Sequence, residues 1–260
     1  MPKQEFAVKY KFCIDDHARA RQTSSEVRSY GQYCPIARAS EILAERWTLI
    51  ILRDILNGVN TFTELADGAP GLSRTLLSSR LNELDCAGVI TIQPNPEGRG
   101  HIYTPTEAGR DLGQVMLALG TWGERWIELA PEHLDPGVVL ESWVRFYLDH
   151  DRLPDHRVVV RFEFPDLPVK GNELWCIFNG TASEVCRTHP GFTEDLVATI
   201  ESRALAEWHL GHITWADAIK DQRIKVNGPP TLARSLPTWN KQSRWAQLDV
   251  GQGTIKVTRP

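Results

Sequence analysis

Two short apolar periods separated by a helix-breaking pair lie between Thr61 and Gly88, in the run TFTELADGAPGLSRTLLSSRLNELDCAG. They constrain the fold more than any other stretch. Phe62 to Ala69 reads as a first helix with Thr61 as its N-cap. Glu64 stands three residues on, the spacing at which a hydroxyl and a carboxylate each satisfy a backbone N–H that the first turn leaves unpaired. Pro70-Gly71 breaks the chain. Ser73 caps a second helix, with Leu72 and Leu77 at the two positions of a hydrophobic staple. Leu77, Leu81 and Leu84 follow at spacings of four and three, so they line one face for burial. Ser73, Arg74, Thr75, Ser78, Ser79 and Asn82 remain for the other face. Arg80 lies nearer the buried side, where its stem packs and its head is expected to reach a phosphate. Gly88 is placed to end the helix. A short helix, a tight turn and a longer helix with a small, polar, partly basic outer face is the helix-turn-helix pattern, in which the second helix enters the major groove of DNA.

The flanks extend this pattern into a larger domain. Residues 1–33 are polar and carry no sustained period, so they read as an arm. Cys34-Pro35-Ile36 opens the first compact element, with Cys34 as N-cap candidate and proline at the first helical position. Trp47 to Leu56 is apolar most of the way round and reads as the central core helix. After the helix-turn-helix, Val89 to Gln93 and His101 to Thr104 read as two short strands around the loop from Pro94 to Gly100. This is a wing, with Arg99 at its tip and His101 nearby, placed for the minor groove or the backbone. Thr104 and Glu107 have capping-box spacing, with Pro105 at the first helical position of a long helix. Along it Ala108, Leu112, Val115, Leu119, Trp122, Trp126 and Leu129 recur with a period of 3.5, the spacing of a helix that packs lengthwise on another. That seam reads as a dimer interface or as core. A twofold dimer presents two recognition helices to successive major grooves.

At 260 residues the chain has room for two domains, divided here as 34–130 and 131–260. The net charge of −4 means that affinity for DNA has to come from local placement of charge. No apolar run is long enough to span a bilayer and the first residues lack the apolar core of a secretion signal, so no membrane association is expected. The five cysteines are odd in number and widely spread, which suits a reducing cytoplasm better than a disulfide framework. No GxxxxGK[ST], GxSxG, HExxH or paired CxxC is present, so no catalytic residue and no cofactor is expected, and the chain does not read as an enzyme. His209-x-x-His212 has metal-like spacing but no acidic or cysteine partner close by, and reads as a polar helix end. Cys34 carries a sharper expectation: a thiol at a helix N-terminus gains thiolate character from the helix dipole, which marks it as a redox-sensing candidate. The competing reading is an inert, partly buried thiol.

The second half has a different texture. Ala130 to Gly137 reads as a linker and Val138 to Leu148 as a helix. His156 to Phe164, Glu173 to Phe178, Thr181 to Thr188 and Leu196 to Ile200 read as strands. Ser202 to Leu210 and Trp215 to Lys220 are helices, Arg223 to Val226 a strand, and Thr231 to Pro237 the start of a last helix. The expected class is α+β, an antiparallel sheet covered on one face by helices. Six of the nine tryptophans lie in this half. Trp175, Phe178, Trp208, Trp215 and Trp239 are the candidates to line a pocket for an apolar ligand, the alternative being that they fill the core.

Two resemblances follow from these residues. Cys34-Pro35-Ile36, RWTLIILRDILNG, TFTELADGAPGLSRTLLSSRLNELDCAGVI and YTPTEAGRDL resemble, in order and spacing, the HxlR-type winged-helix transcriptional regulators, relatives of the MarR group. The resemblance implies a homodimer that binds palindromic operators on double-stranded DNA; some members of that family sense electrophiles or oxidants through a cysteine at the place of Cys34. Ala44-Glu45-Arg46 departs from the usual glycine pair and lysine, and Arg74 stands where proline is common, so operator preference does not carry over. In the second half SRALAEWHLG, HITWADAIKDQRIKVNG and TLARSLPTW resemble the sterol carrier protein fold, which implies fatty acyl or sterol-like ligands in an apolar tunnel between sheet and helices. Together these describe a one-component regulator whose operator binding responds to an apolar effector or to modification of Cys34. The alternative is a lipid carrier or small enzyme in which the winged helix serves only for dimerisation.

Overall fold

The computed structural model describes residues 29–169 and 171–246. Residues 1–28 of the expected arm lie outside them. The chain divides into two compact units, Met1–Leu119 and Gly120–Pro260.

In the first unit, α1 (Pro35–Leu43), α2 (Thr48–Leu56), α3 (Phe62–Asp67) and α4 (Arg74–Cys86) precede a hairpin of β1 (Ile90–Pro94) and β2 (His101–Pro105). The strands pair antiparallel, and Thr61 adds an isolated bridge to Ile102, so the entry to α3 is tied to the wing. The two caps of the helix-turn-helix are local and both form. Thr61 and Glu64 make the capping box on α3, and the Ser73 hydroxyl accepts from the Leu76 N–H. Gly88 follows the last turn of α4 with φ 69°, a left-handed conformation that a side chain would resist. Ile51, Leu52, Ile55, Leu65, Leu77, Leu81, Leu84 and Ile90 are buried and make the core of the unit. Each such side chain contributes roughly 1.5–3 kcal/mol by leaving water.

Two expectations change here. Trp47 is not in α2 but caps it, with a left-handed φ of 78°. The long helix α5 (Glu107–Trp126) starts two residues later than its apparent capping box. Thr104 stays in β2, where its hydroxyl meets that of Thr91 at 2.8 Å across the hairpin. Proline at 105 favours an extended residue before it. The cap is Thr106, whose hydroxyl accepts from Gly109 N–H and donates to the Gly88 carbonyl. Gly109 is the one buried residue of α5: a Cβ there would lie 2.1 Å from the Val89 carbonyl oxygen. Val115, Leu119, Trp122 and Trp126 of the apolar seam are 39–48% exposed, and Leu129 falls beyond the helix end.

The division between units falls inside α5, whereas the sequence pattern places it at residues 130/131. The last turns of α5 belong to the second unit because their partners do: the Trp245 ring lies against Gly120, and Glu124 pairs with His212. Arg203 donates to the Leu129 carbonyl just beyond. The unit continues with α6 (Pro136–Phe146), β3 (Val158–Glu163), β4 (Glu173–Phe178), β5 (Glu184–Cys186), β6 (Leu196–Ile200), α7 (Ser202–His209), α8 (Trp215–Lys220), β7 (Ile224–Asn227) and α9 (Pro230–Ser235). Thr181 to Thr188 is not a continuous strand: a 3-10 turn at Gly180–Ala182 precedes the three-residue β5.

The sheet order is β5-β4-β3-β6-β7. It is mixed, not antiparallel, because β6 joins β3 in parallel, Val160 beside Leu196. Alternation along a strand reports which face is buried but not which way a neighbour runs. One face packs against α6, α7 and the segment ending at Trp239, through Leu140, Trp143, Leu205, Trp208, Leu236 and Trp239. Trp143 is the centre of this core, with ring centroids 5.2–6.1 Å from Trp208, Phe178 and Phe162. Its indole N–H donates to the Trp239 carbonyl at 3.1 Å. Among the described residues no helix is long and apolar enough to cross a membrane.

His209 ends α7 inside this core, 6% exposed, with its ring 3.0 Å from the Asn240 amide and packed on Tyr147. Burial lowers its pKa to about 4. The unfolded chain binds a proton near 6.5, where the folded chain does not. Stability is therefore complete above that value and falls as the pH drops towards 4, by up to about 3 kcal/mol from this residue. Urea unfolding at pH 7.5 and 4.5 should show this loss reduced in a His209→Gln variant.

Candidate nucleic-acid interface

The interface is built on the polar face of α4. With Leu77, Leu81 and Leu84 at 0–1% exposure, the helix has one rotation available, and it puts Ser73, Arg74, Thr75, Ser78 and Asn82 in solvent. The Arg74 guanidinium lies over the Phe62 ring, 5.2 Å from its centroid, so α3 steadies the first turn of α4. At the wing, the Asn95 side chain accepts from the Glu97 N–H and the Asn95 N–H donates to the Gly100 carbonyl. This shapes a turn that leaves Arg99 exposed, with exposed His101 at the start of β2.

Ser79 and Arg80 are placed differently from the rest of the expected set. The Ser79 hydroxyl donates to Glu83 at 2.9 Å. Arg80 has a side chain only 13% exposed, and its head does not reach outward as expected. It pairs with Glu45 at 2.8 Å and with Glu83, and donates to the Arg46 carbonyl at 3.3 Å. The reason is the position of α4 beside the turn between α1 and α2, which supplies a carboxylate and a free carbonyl close to the helix. Arg80 is thus a brace between the recognition helix and the corner that contains Trp47. Glu45 and Phe62 are the residues that sequence reasoning missed here. The only sign of the first was a departure from family pattern, and the second sits twelve residues from the arginine it supports.

Cys34 is half-buried at the N-cap of α1. The backbone N–H groups of Ala37 and Ile36, then the charge of Arg38, hold its pKa below the usual thiol value. Cys176 is fully buried and desolvation pushes its thiol up. The described cysteines form no disulfide.

The candidate ligand residues of the second unit do not converge. Phe178, Trp208 and Trp239 are core residues, at 0–3% exposure, and Phe178 and Trp239 pack on each other. Trp175 lies on the opposite face of the sheet, where its indole donates to Glu194 at 3.2 Å. Trp215 alone lines an open groove, of about 630 Å³, with Ile219, Ile224, Val226 and Pro237 among its walls. Among the described residues no group of three or more His, Cys, Asp or Glu is arranged to hold a metal ion. His209 and His212 go to different partners, Asn240 and Glu124.

Residues 42–131 match the model of a family described as HxlR-like helix-turn-helix. The HTH-type transcriptional regulator YvaP of Bacillus subtilis is 35% identical over 106 residues, which cover 40% of this chain and 96% of YvaP. The chain belongs to the HxlR-like helix-turn-helix family. An HTH-type regulator of Mycobacterium tuberculosis is 36% identical over 117 residues, covering 40% of this chain and 73% of that protein. The regulator YodB of Bacillus subtilis is 31% identical over 97 residues, covering 36% and 87%. The solved structure of its reduced form superposes with a TM-score of 0.34 at 28% identity, over 38% of this chain and 99% of that one. The HxlR-like region ends at residue 131, so the sheet and helices of the second unit lie beyond it.

Arg80→Ala should cost about 1 kcal/mol of unfolding free energy by removing the brace. Glu45→Gln should cost less, because Glu45 is 60% exposed. Chemical denaturation of both variants checks the order.

Proposed function

We propose that the protein is a DNA-binding transcriptional regulator that acts as a homodimer. The observation that carries this reading is the polar face of α4, presented to solvent by a buried leucine face within a winged helix of the HxlR-like family. Ser73, Arg74, Thr75, Ser78 and Asn82 are the groove-reading set, and Arg99 and His101 contact the backbone or minor groove from the wing. Arginine reads guanine through two parallel hydrogen bonds, and the hydroxyls suit phosphates and base edges. The exposed seam of Val115, Leu119, Trp122 and Trp126 supports pairing with a second copy, since large apolar side chains at helical spacing gain by leaving water. With a net charge of −4, a single copy gains little from bulk electrostatics, and two copies on a palindrome double the specific contacts. This reading places the protein with DNA in the cytoplasm.

The second unit supplies an effector site for an apolar ligand in this reading. Its resemblance to the sterol carrier fold is supported by a five-stranded sheet with helices on one face and by the apolar groove beside α8. An effector regulates only by its different affinity for the two states of the reader. Cys34 is a second input, supported by its lowered pKa at the start of α1.

Footprinting on the DNA upstream of the protein's own gene is expected to show a protected palindrome. Arg74→Ala should weaken that binding by about 1–3 kcal/mol, and Arg80→Ala should leave it nearly unchanged. Leu119→Glu should give a monomer by light scattering with loss of the footprint. Protection of no sequence, with the dimer intact, is the outcome expected if the winged helix serves only for dimerisation. Maleimide should label Cys34 faster than Cys86 and reduce operator binding; equal rates with unchanged binding exclude the sensing role.

A further inference from the structure

Phe62 and Arg74 meet because two caps fix where two helices begin. Thr61 closes the capping box on α3 and makes Phe62 its first residue. The Ser73 hydroxyl accepts from the Leu76 N–H at 3.2 Å and makes Arg74 the first residue of α4. Between them Leu65, Ala69 and Leu72 are buried, and the Leu72 N–H donates to the Ala69 carbonyl at 3.0 Å, so the turn holds the two helix starts at a set separation. The guanidinium carbon of Arg74 then lies 5.2 Å from the centroid of the half-buried Phe62 ring, within the range of an attractive cation–ring contact. The guanidinium is thereby held without a protein acceptor: among the described residues Arg74 donates no hydrogen bond and forms no ion pair. Arg80 on the same helix is in the opposite condition, with its donors taken up by Glu45, Glu83 and the Arg46 carbonyl.

We infer that Phe62 is a positioning residue for Arg74, and that the pair selects guanine at one position of each operator half-site. The inference rests on the DNA-binding reading and names a base that this site takes. The first residues of a recognition helix are those that meet base edges in the major groove. Guanine presents two acceptors there, N7 and O6, side by side, and a guanidinium matches them only when its plane is set. An arginine loose in solvent gives up the freedom of a long side chain to reach that setting. Phe62 restricts the side chain before DNA arrives and leaves its donors free. A phosphate is a less demanding acceptor, met by any cation from many directions, and gains little from such a ring. The ring contact therefore favours base reading over a backbone contact at this residue.

The test selects bound sequences from a pool of random duplex DNA with the full chain, then measures the affinity for each base at each position of the recovered site. The unsubstituted chain is expected to prefer guanine about tenfold or more at one position of each half-site. Arg74→Lys keeps the charge and loses the paired donors. Arg74→Pro suits the first position of a helix after the extended Ser73, at φ −69° and ψ 146°. Both should abolish the preference at that position and leave the others. Phe62→Leu should lower it about threefold, with the circular dichroism spectrum and the slope of affinity against salt unchanged, and Phe62→Tyr should retain it in full. On the Arg74→Pro background Phe62→Leu should add nothing. In the DNA-free chain the Arg74 side-chain protons should show an upfield ring-current shift by NMR. Absence of that shift, a guanine preference that survives Arg74→Lys, or one that Phe62→Leu leaves intact overturns the inference, and the regulator reading stands as long as a specific sequence is recovered. A pool from which no sequence is enriched overturns the regulator reading, and this inference with it.

Discussion

Burial of Leu77, Leu81 and Leu84 is the constraint on which the N-terminal unit depends. A helix has one apolar stripe to hide, and hiding it decides what the opposite side shows. Every residue of the reading face is therefore positioned by side chains that never meet DNA. The caps set where the helix begins, the leucines set its rotation, and Arg80 secures it to the corner between α1 and α2. The wing is fixed to the same frame through the Thr61–Ile102 bridge and the hydroxyl of Thr106.

What was legible in the sequence was local. Thr61 with Glu64 and Ser73 with Leu76 are interactions across three residues, and each is present as spacing predicts. What was hidden depended on distance along the chain. The parallel partner of β3 comes from a strand that starts at Leu196, after β4 and β5 have been made. Arg80 finds Glu45 thirty-five residues away. The misplaced start of α5 shows how two local signals compete: Thr104 and Thr106 each stand before an acidic or helical run, and pairing with Thr91 decides between them.

The aromatic residues of the second unit show the limit of composition as a guide to function. Tryptophans counted together suggest a pocket, but their positions separate them. Trp143 and Trp239 are at the centre, bound through one indole N–H and one carbonyl. Trp175 serves the other face of the sheet. Trp215 stands at the border, one side on Trp208 and the other on the groove. Strand alternation predicts that Trp175 and Phe178 point to opposite faces, and that parity is a better guide than residue type.

The membership of the end of α5 in the second unit has a consequence for synthesis. The winged helix is closed by contacts among residues that emerge early, and it can fold while the rest is still being made. The turn of α5 around Glu124 cannot complete its packing then, because His212 lies 88 residues further on and Trp245 later still. Trp122 and Trp126 on either side of it remain 48% and 39% exposed even in the finished chain. A chain held at a pause between the two halves would therefore carry a reader whose helix is finished in hydrogen bonds but not in partners.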